Sequence, residues 1–228
     1  MLDIQKEIRY SGQIKAFKKI LDTFEKTDQV HRILVLGCGD GIEAGYMHHL
    51  LGARVYGVDI DKKFDPWAAN YAHLQNYDGR RLPFTDGYFD AIYSYHVLEH
   101  VQDLPNMLAE IRRVIRPRGF VYVGVPNKSR LLGYIGMNDK SIYRKIRQNV
   151  IDIIKRLKGE WDNALGAHAG FNEKELSQML RAHFRDAVPV TSYYYSVKWK
   201  KYDRLLRIMH SLWIDKVLMP SVYILASD

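Results

Sequence analysis

Val35-Leu36-Gly37-Cys38-Gly39-Asp40-Gly41 places three glycines at alternate positions directly after a short apolar run. Residues without a β-carbon let the backbone approach a ligand closely, and a helix that opens there offers free N–H groups. The GxGxG spacing differs from the GxGxxG that supports a pyrophosphate, which disfavours a dinucleotide. Asp59 stands 20 residues beyond Gly39, at the end of a second apolar run. A carboxylate so placed can accept two hydrogen bonds from a ribose diol. The pair points to a nucleoside cofactor. The alternatives are a tight strand-to-helix turn and an ordinary solvent-facing acid.

Two further segments carry polar groups in a loop context: Asp78-Gly79-Arg80-Arg81-Leu82-Pro83-Phe84 and Ser94-Tyr95-His96-Val97-Leu98-Glu99-His100-Val101. Imidazole titrates near neutral pH, so His96 and His168 are the candidate bases. Each has a second reading, as a side chain that packs on the cofactor loop (His96) or anchors a lid (His168). The nine histidines show no ligand spacing and the one cysteine sits in the glycine loop, so no metal is expected.

The elements that position these residues follow from periodicity. Residues 3–26 have helical spacing, with Ile4, Ile8, Ile14, Phe17, Ile20, Leu21 and Phe24 recurring. The short apolar run at 32–36 reads as a strand buried on both faces, and 54–59, 71–76, 89–94 and 120–125 read as further strands. Helical patterns at 42–51 and 104–115 lie between them, the latter ended by Pro117-Arg118-Gly119, and Asp65-Pro66-Trp67 reads as a further helix start. Alternation of strands with helix-length spacers predicts a parallel sheet with helices on both faces, its ligand edge at the strand C-termini. After residue 127 the pattern changes. A helix is predicted at 172–182, capped by Asn172 with Glu175, and late strands at 187–195 and 220–226.

The 228 residues are 47% hydrophobic and 26% charged, which excludes disorder and coiled coil. Net charge is +8, and it is concentrated. Residues 128–167 hold nine basic against four acidic side chains, and 195–219 six against two. In the first, Ile142, Ile146, Val150, Ile154 and Leu157 define the apolar face of a basic amphipathic helix; Leu205, Leu206, Ile208, Met209, Leu212 and Trp213 suggest another. We read both as a cover packed on the domain, with a membrane surface as the alternative. Tyr193-Tyr194-Tyr195 with Trp199 among lysines reads as a strand edge with solvated lysines, rather than a base-stacking surface. No apolar run reaches the ~18 residues of a membrane span, and a charged N-terminus and a single cysteine suggest a cytoplasmic setting.

Taken in order, GCGDG, the strand-end acid, D-x-x-x-LPF, FD and S-x-x-VLEHV over residues 32–127 resemble class I S-adenosylmethionine-dependent methyltransferases of the UbiE/type 11 kind. The resemblance implies an α/β Rossmann-like doubly wound seven-stranded sheet, mostly parallel with the last strand antiparallel and inserted at the edge, with helical lid insertions. It implies one domain over 1–228: an N-terminal helix at 1–30, a cofactor-binding core at 31–127, and basic lid segments at 128–167 and 196–219. S-adenosylmethionine is the implied cofactor and S-adenosylhomocysteine the product. Gly37, Cys38, Gly39, Asp40 and Gly41 would surround the methionine portion. Asp59 would hold the ribose, Ile60 would pack on adenine, and Asp78 with the Gly79 N–H would meet the adenine edge. Tyr95 and His96 would border the transferred methyl group, while Glu99 and His100 fix the turn. Val35 departs from the family, which carries an acid there; either binding is weaker or Asp40 compensates. The implied acceptor is a small, lipid-like, or anionic molecule, with peripheral membrane contact as an option. A nucleic-acid methyltransferase and a non-catalytic binding protein that keeps the cofactor fold are the competing readings.

Overall fold

Alternate residues of each central strand serve two different cores. In β1 (Arg32–Leu36), Ile33 and Val35 join one apolar cluster while Leu34 and Leu36 join the other. A strand buried on both faces needs a helical layer above and below. The computed structural model has both, and it describes residues 4–60, 62–131, 133, 141–163 and 169–228, with side chains from Gly12 onward. β2 (Arg54–Asp59), β3 (Ala72–Asn76), β4 (Phe89–Tyr95) and β5 (Ile115–Pro126) extend the sheet in parallel. β7 (Ser221–Ser227) runs antiparallel between β5 and β6 (Asp186–Pro189), giving the order β3-β2-β1-β4-β5-β7-β6. The antiparallel strand is therefore one place in from the edge, and β6 forms the edge itself.

α1 (Ile4–Thr23), α2 (Ile42–Leu51) and α6 (Thr191–Lys198) cover one face through Phe17, Ile20, Met47 and Tyr194. α3 (Leu104–Val114) and α5 (Glu173–Arg181) cover the other through Met107, Ile111, Leu176 and Leu180. The Asn172 cap of α5 is a complete capping box: its side chain accepts from the Glu175 N–H while the Glu175 carboxylate accepts from the Asn172 N–H.

Three local expectations are corrected. The strand expected over 187–195 ends at Pro189, and Tyr193-Tyr194-Tyr195 lie on α6. Aromatic runs favour strands, but here Tyr194 stacks on Tyr223 of β7 with ring centroids 3.7 Å apart, and burial of that ring fixes the helix instead. Lys198, Lys200 and Lys201 are exposed as expected, and the Lys198 ammonium also donates to the Tyr194 hydroxyl. After Asp65, whose carboxylate accepts from the Trp67 N–H, only a short 3-10 turn at Ala68–Asn70 forms before β3 begins. α3 stops at Val114, ahead of Pro117-Arg118-Gly119, which lies within β5 beside a shift in its register with β4.

α4 (Ile142–Leu157) occupies the first basic segment, and α7 (Asp203–Ser211) with the one-turn α8 (Asp215–Leu218) the second. No helix among the described residues is long and apolar enough to cross a membrane.

Candidate functional site

The parallel strands β1–β5 end on one edge of the sheet, and the loops leaving that edge form the site. The first loop, after β1, turns three times into the left-handed region: φ is 68° at Gly37, 58° at Gly39 and 83° at Gly41. Only glycine adopts this region without strain. Their surroundings differ. A β-carbon on Gly37 would stand 2.2 Å from Val97, and one on Gly41 2.3 Å from Leu74, whereas one on Gly39 would meet no protein atom within 4 Å. Gly37 and Gly41 are thus glycine for packing, and Gly39 presents bare backbone to open space.

Asp59, at the C-terminal end of β2, is buried, and its carboxylate accepts from the Gly39 N–H at 2.8 Å and from the Ile60 N–H at 2.9 Å. A carboxylate has about four acceptor sites, so two remain for a ligand. The acid that looks like a ribose holder also pins the glycine loop. Ile60 is 65% exposed, an apolar side chain standing beside Gly79. Asp78 is exposed; the backbone N–H groups of Arg81 and Arg80 hold its carboxyl below the usual carboxylate range, so it is ionised and an acceptor. Cys38 is buried, and desolvation, helped by the Asp59 charge, pushes its thiol up to about 12. It is an inert packing group at neutral pH.

Val35 is fully buried in the apolar core. Asp40 does not reach into that space: its side chain caps α2 by accepting from the Ile42 N–H, and its carbonyl accepts from the Asp65 N–H. The carboxyl on the core side of the loop is Glu43, which the sequence pattern did not single out. It accepts from the Tyr93 hydroxyl at 2.7 Å, and burial pushes it up to about 7 against the lowering effect of that bond. Between pH 4.5 and 7 the folded chain therefore holds a proton that the unfolded chain has released, and stability falls as pH rises through that window. In Glu43→Gln this slope should vanish. Melting temperatures across that range, compared with those of the unaltered chain, check it; an unchanged slope assigns the pH dependence elsewhere.

On the other side, His96 follows β4 with φ 56°, a conformation that costs a non-glycine residue about 1 kcal/mol or more. It is held there from three directions: its N–H donates to the Gly124 carbonyl, Nε2 lies 3.2 Å from the Ser221 hydroxyl, and Nδ1 lies 3.4 Å from Glu99 Oε1. Glu99 is buried and its Oε2 has no hydrogen-bond partner among the described residues. The Tyr95 hydroxyl meets Gln13, Tyr223 and Tyr194, and burial raises it above the usual phenol range. Val97 packs against Gly37 and so joins this loop to the glycine loop. Ser221 and Gln13 were not legible as site residues, because Ser221 reaches His96 across 125 residues and Gln13 comes from α1. His168 lies outside the described residues. Gly37 to Gly41, Asp59, Ile60, Asp78, Gly79, Tyr95 and His96 all stand on this edge. A cavity of about 400 Å³ at the end of β5, between Asn127, Ser177, Arg181 and Thr191, shares none of them.

This strand order with a glycine loop after β1 and an acid after β2 defines the class I methyltransferase fold. Residues 34–123 match the family described as Methyltransferase domain. Among curated relatives, a ubiquinone biosynthesis O-methyltransferase from Thiobacillus denitrificans is 29% identical over 65% of this chain and 67% of its own length. A sterol 24-C-methyltransferase from Gibberella zeae is 30% identical over 52% of this chain and 33% of its own. These matches span between a third and two thirds of the relatives' lengths. Phosphoethanolamine N-methyltransferase 2 from Haemonchus contortus, solved with S-adenosyl-L-methionine, superimposes with a TM-score of 0.53 at 16% identity, covering 87% of this chain and 49% of that one. The [4+2]-cyclase SpnF does so with a TM-score of 0.50 at 15% identity, covering 86% and 73%, so fold likeness by itself does not select a reaction. The match over residues 34–123, the curated relatives and the fold support a class I S-adenosylmethionine-dependent methyltransferase with S-adenosylmethionine as the cofactor.

Proposed function

We propose that the chain transfers a methyl group from S-adenosylmethionine to a small-molecule or lipid-like acceptor, and that the edge described above is the site. The supporting observation is the pairing of Gly39 with Asp59: bare left-handed backbone facing open space, tied by its N–H to a buried carboxylate with acceptor capacity to spare. In this assignment Gly37, Cys38, Gly39, Asp40 and Gly41 surround the methionine portion. Asp59 holds the ribose diol, Ile60 offers an apolar face to the base, and Asp78 with Gly79 meets its polar edge. The donor supplies an already activated methyl group when bound. The chain's task is then to align the acceptor and exclude water. His96 borders the acceptor side. Where the acceptor must lose a proton, its imidazole takes it, oriented by Glu99 at Nδ1 in the manner of a base held by a carboxylate. Ser221 on Nε2 is the partner the acceptor would displace.

Relatives that methylate ubiquinone precursors and sterols, by their names, support an apolar acceptor. The test is calorimetric titration of the purified chain with S-adenosylmethionine and S-adenosylhomocysteine, followed by transfer of labelled methyl to a panel of phenolic and isoprenoid acceptors. Binding of both nucleosides with transfer to at least one apolar acceptor supports the reading. Binding without transfer to any would favour a non-catalytic role.

A further inference from the structure

α4 is mounted inside out. Asp152 and Asn149 lie on its inner face: Asp152 is buried 3.6 Å from the Arg130 guanidinium, and Asn149 exchanges hydrogen bonds with Gly133. Arg156, on the same face, donates to the carbonyls of Lys128 and Arg130 and stacks on Trp161. Ile142, Ile146, Val150, Ile153 and Leu157 lie on the exposed side of the helix, with Leu157 84% and Ile146 59% exposed. Helical spacing alone predicts a cover helix with this stripe packed inward. The structure overturns that, because a buried ion pair and polar anchors fix the other side to the domain. α7 repeats the arrangement in part: Leu206 and Met209 pack inward, while Leu205, Ile208, Leu212 and Trp213 stay exposed.

We propose that these faces dock on an anionic lipid bilayer. An outward stripe of Ile, Val and Leu is worth burying, at ~25 cal/mol for each Å² removed from water. Its flank identifies what buries it. Exposed Arg144, Arg147 and Lys158 border the α4 stripe, and exposed Lys200, Lys201 and Arg204 border α7. Residues 141–160 carry six basic against two acidic side chains, and 198–216 again six against two. A second copy of the chain would set these like charges against each other, whereas an anionic bilayer supplies hydrocarbon and negative charge together. α4 and α8, the turn of helix that follows α7, are tied to one stretch. Arg130 and Lys128 hold α4, and the Leu131 N–H and Asn127 side chain donate to the carbonyls of Val217 and Lys216. That stretch leaves β5 on the edge that carries the glycine loop, so docking brings the site to the lipid surface, where an apolar acceptor is concentrated.

The experiment is sedimentation of the full chain with vesicles of phosphatidylcholine alone, or of phosphatidylcholine and phosphatidylglycerol in equal parts, without any methyl donor. Its result is therefore independent of the proposed reaction. The chain should sediment with the anionic vesicles, weakly with the neutral ones, and less as salt rises. Ile146→Glu/Ile153→Glu and Arg144→Glu/Arg147→Glu should each lower partitioning roughly tenfold or more, with unchanged circular dichroism and melting. Equal binding to both vesicle types overturns the proposal, as does wild-type partitioning of both variants. A dimer in sedimentation equilibrium that the isoleucine variant dissolves, without vesicle binding, assigns the stripe to a second copy instead.

Discussion

Asp59→Ala should lower affinity for S-adenosylmethionine about a hundredfold or more, the largest loss expected of any single polar substitution on this edge. Two effects add. The assigned ribose diol loses its acceptors, and hydrogen bonds to a charged group contribute about 1.5–3 kcal/mol each. The Gly39 N–H, now satisfied at 2.8 Å, is also orphaned, so the loop that faces the methionine portion loses its tether. Asp59→Asn separates the two, since an amide oxygen can still accept from Gly39 but carries no charge. Its affinity should fall between that of Asp59→Ala and that of the unaltered chain. Calorimetric titration gives the ordering, and affinity within a factor of about two of wild type for the alanine variant would remove Asp59 from the ribose site.

Gly39→Ala should separate binding from folding. A β-carbon at Gly39 meets no protein atom within 4 Å, so the folded chain bears only the left-handed backbone cost of ~1–2 kcal/mol. Gly37 and Gly41 offer no such separation, because a methyl there would collide with Val97 or Leu74 at 2.2 and 2.3 Å. The alanine chain should therefore melt within several degrees of wild type while cofactor affinity drops roughly tenfold or more, as the methyl group occupies ligand space. Thermal melts and titration on one preparation decide it. Unchanged affinity would place the cofactor away from Gly39.

The cofactor edge was legible because its signals are local. A strand, a glycine turn and a strand-end acid recur within a few dozen residues, and each type has a backbone reason for its position. What escaped was set by distant partners. Tyr193-Tyr194-Tyr195 carries a strand's composition, but Tyr223 from β7 and the surface of α1 hold it as a helix. Glu43 resembles any acid in a first helical turn until Tyr93 is seen across from it. Periodicity placed the stripe of α4 correctly but could not give its orientation. Which side of an amphipathic helix meets the domain depends on Arg130 and Lys128, and nothing in the helix's own spacing encodes that.

The strand order also sets a timetable for synthesis. β1 to β5 emerge from the ribosome in sequence and can pair as each appears, yet β6 hydrogen-bonds only to β7, and β5 meets its last neighbour only when β7 arrives. Until then the long edge of β5, nine of whose twelve residues are buried in the finished sheet, waits unpaired. Such an edge is a template for pairing with another nascent chain. Slow translation between β5 and β7 would prolong that exposure, so the yield of folded protein becomes a matter of elongation speed across the codons that separate these two strands as much as of final stability.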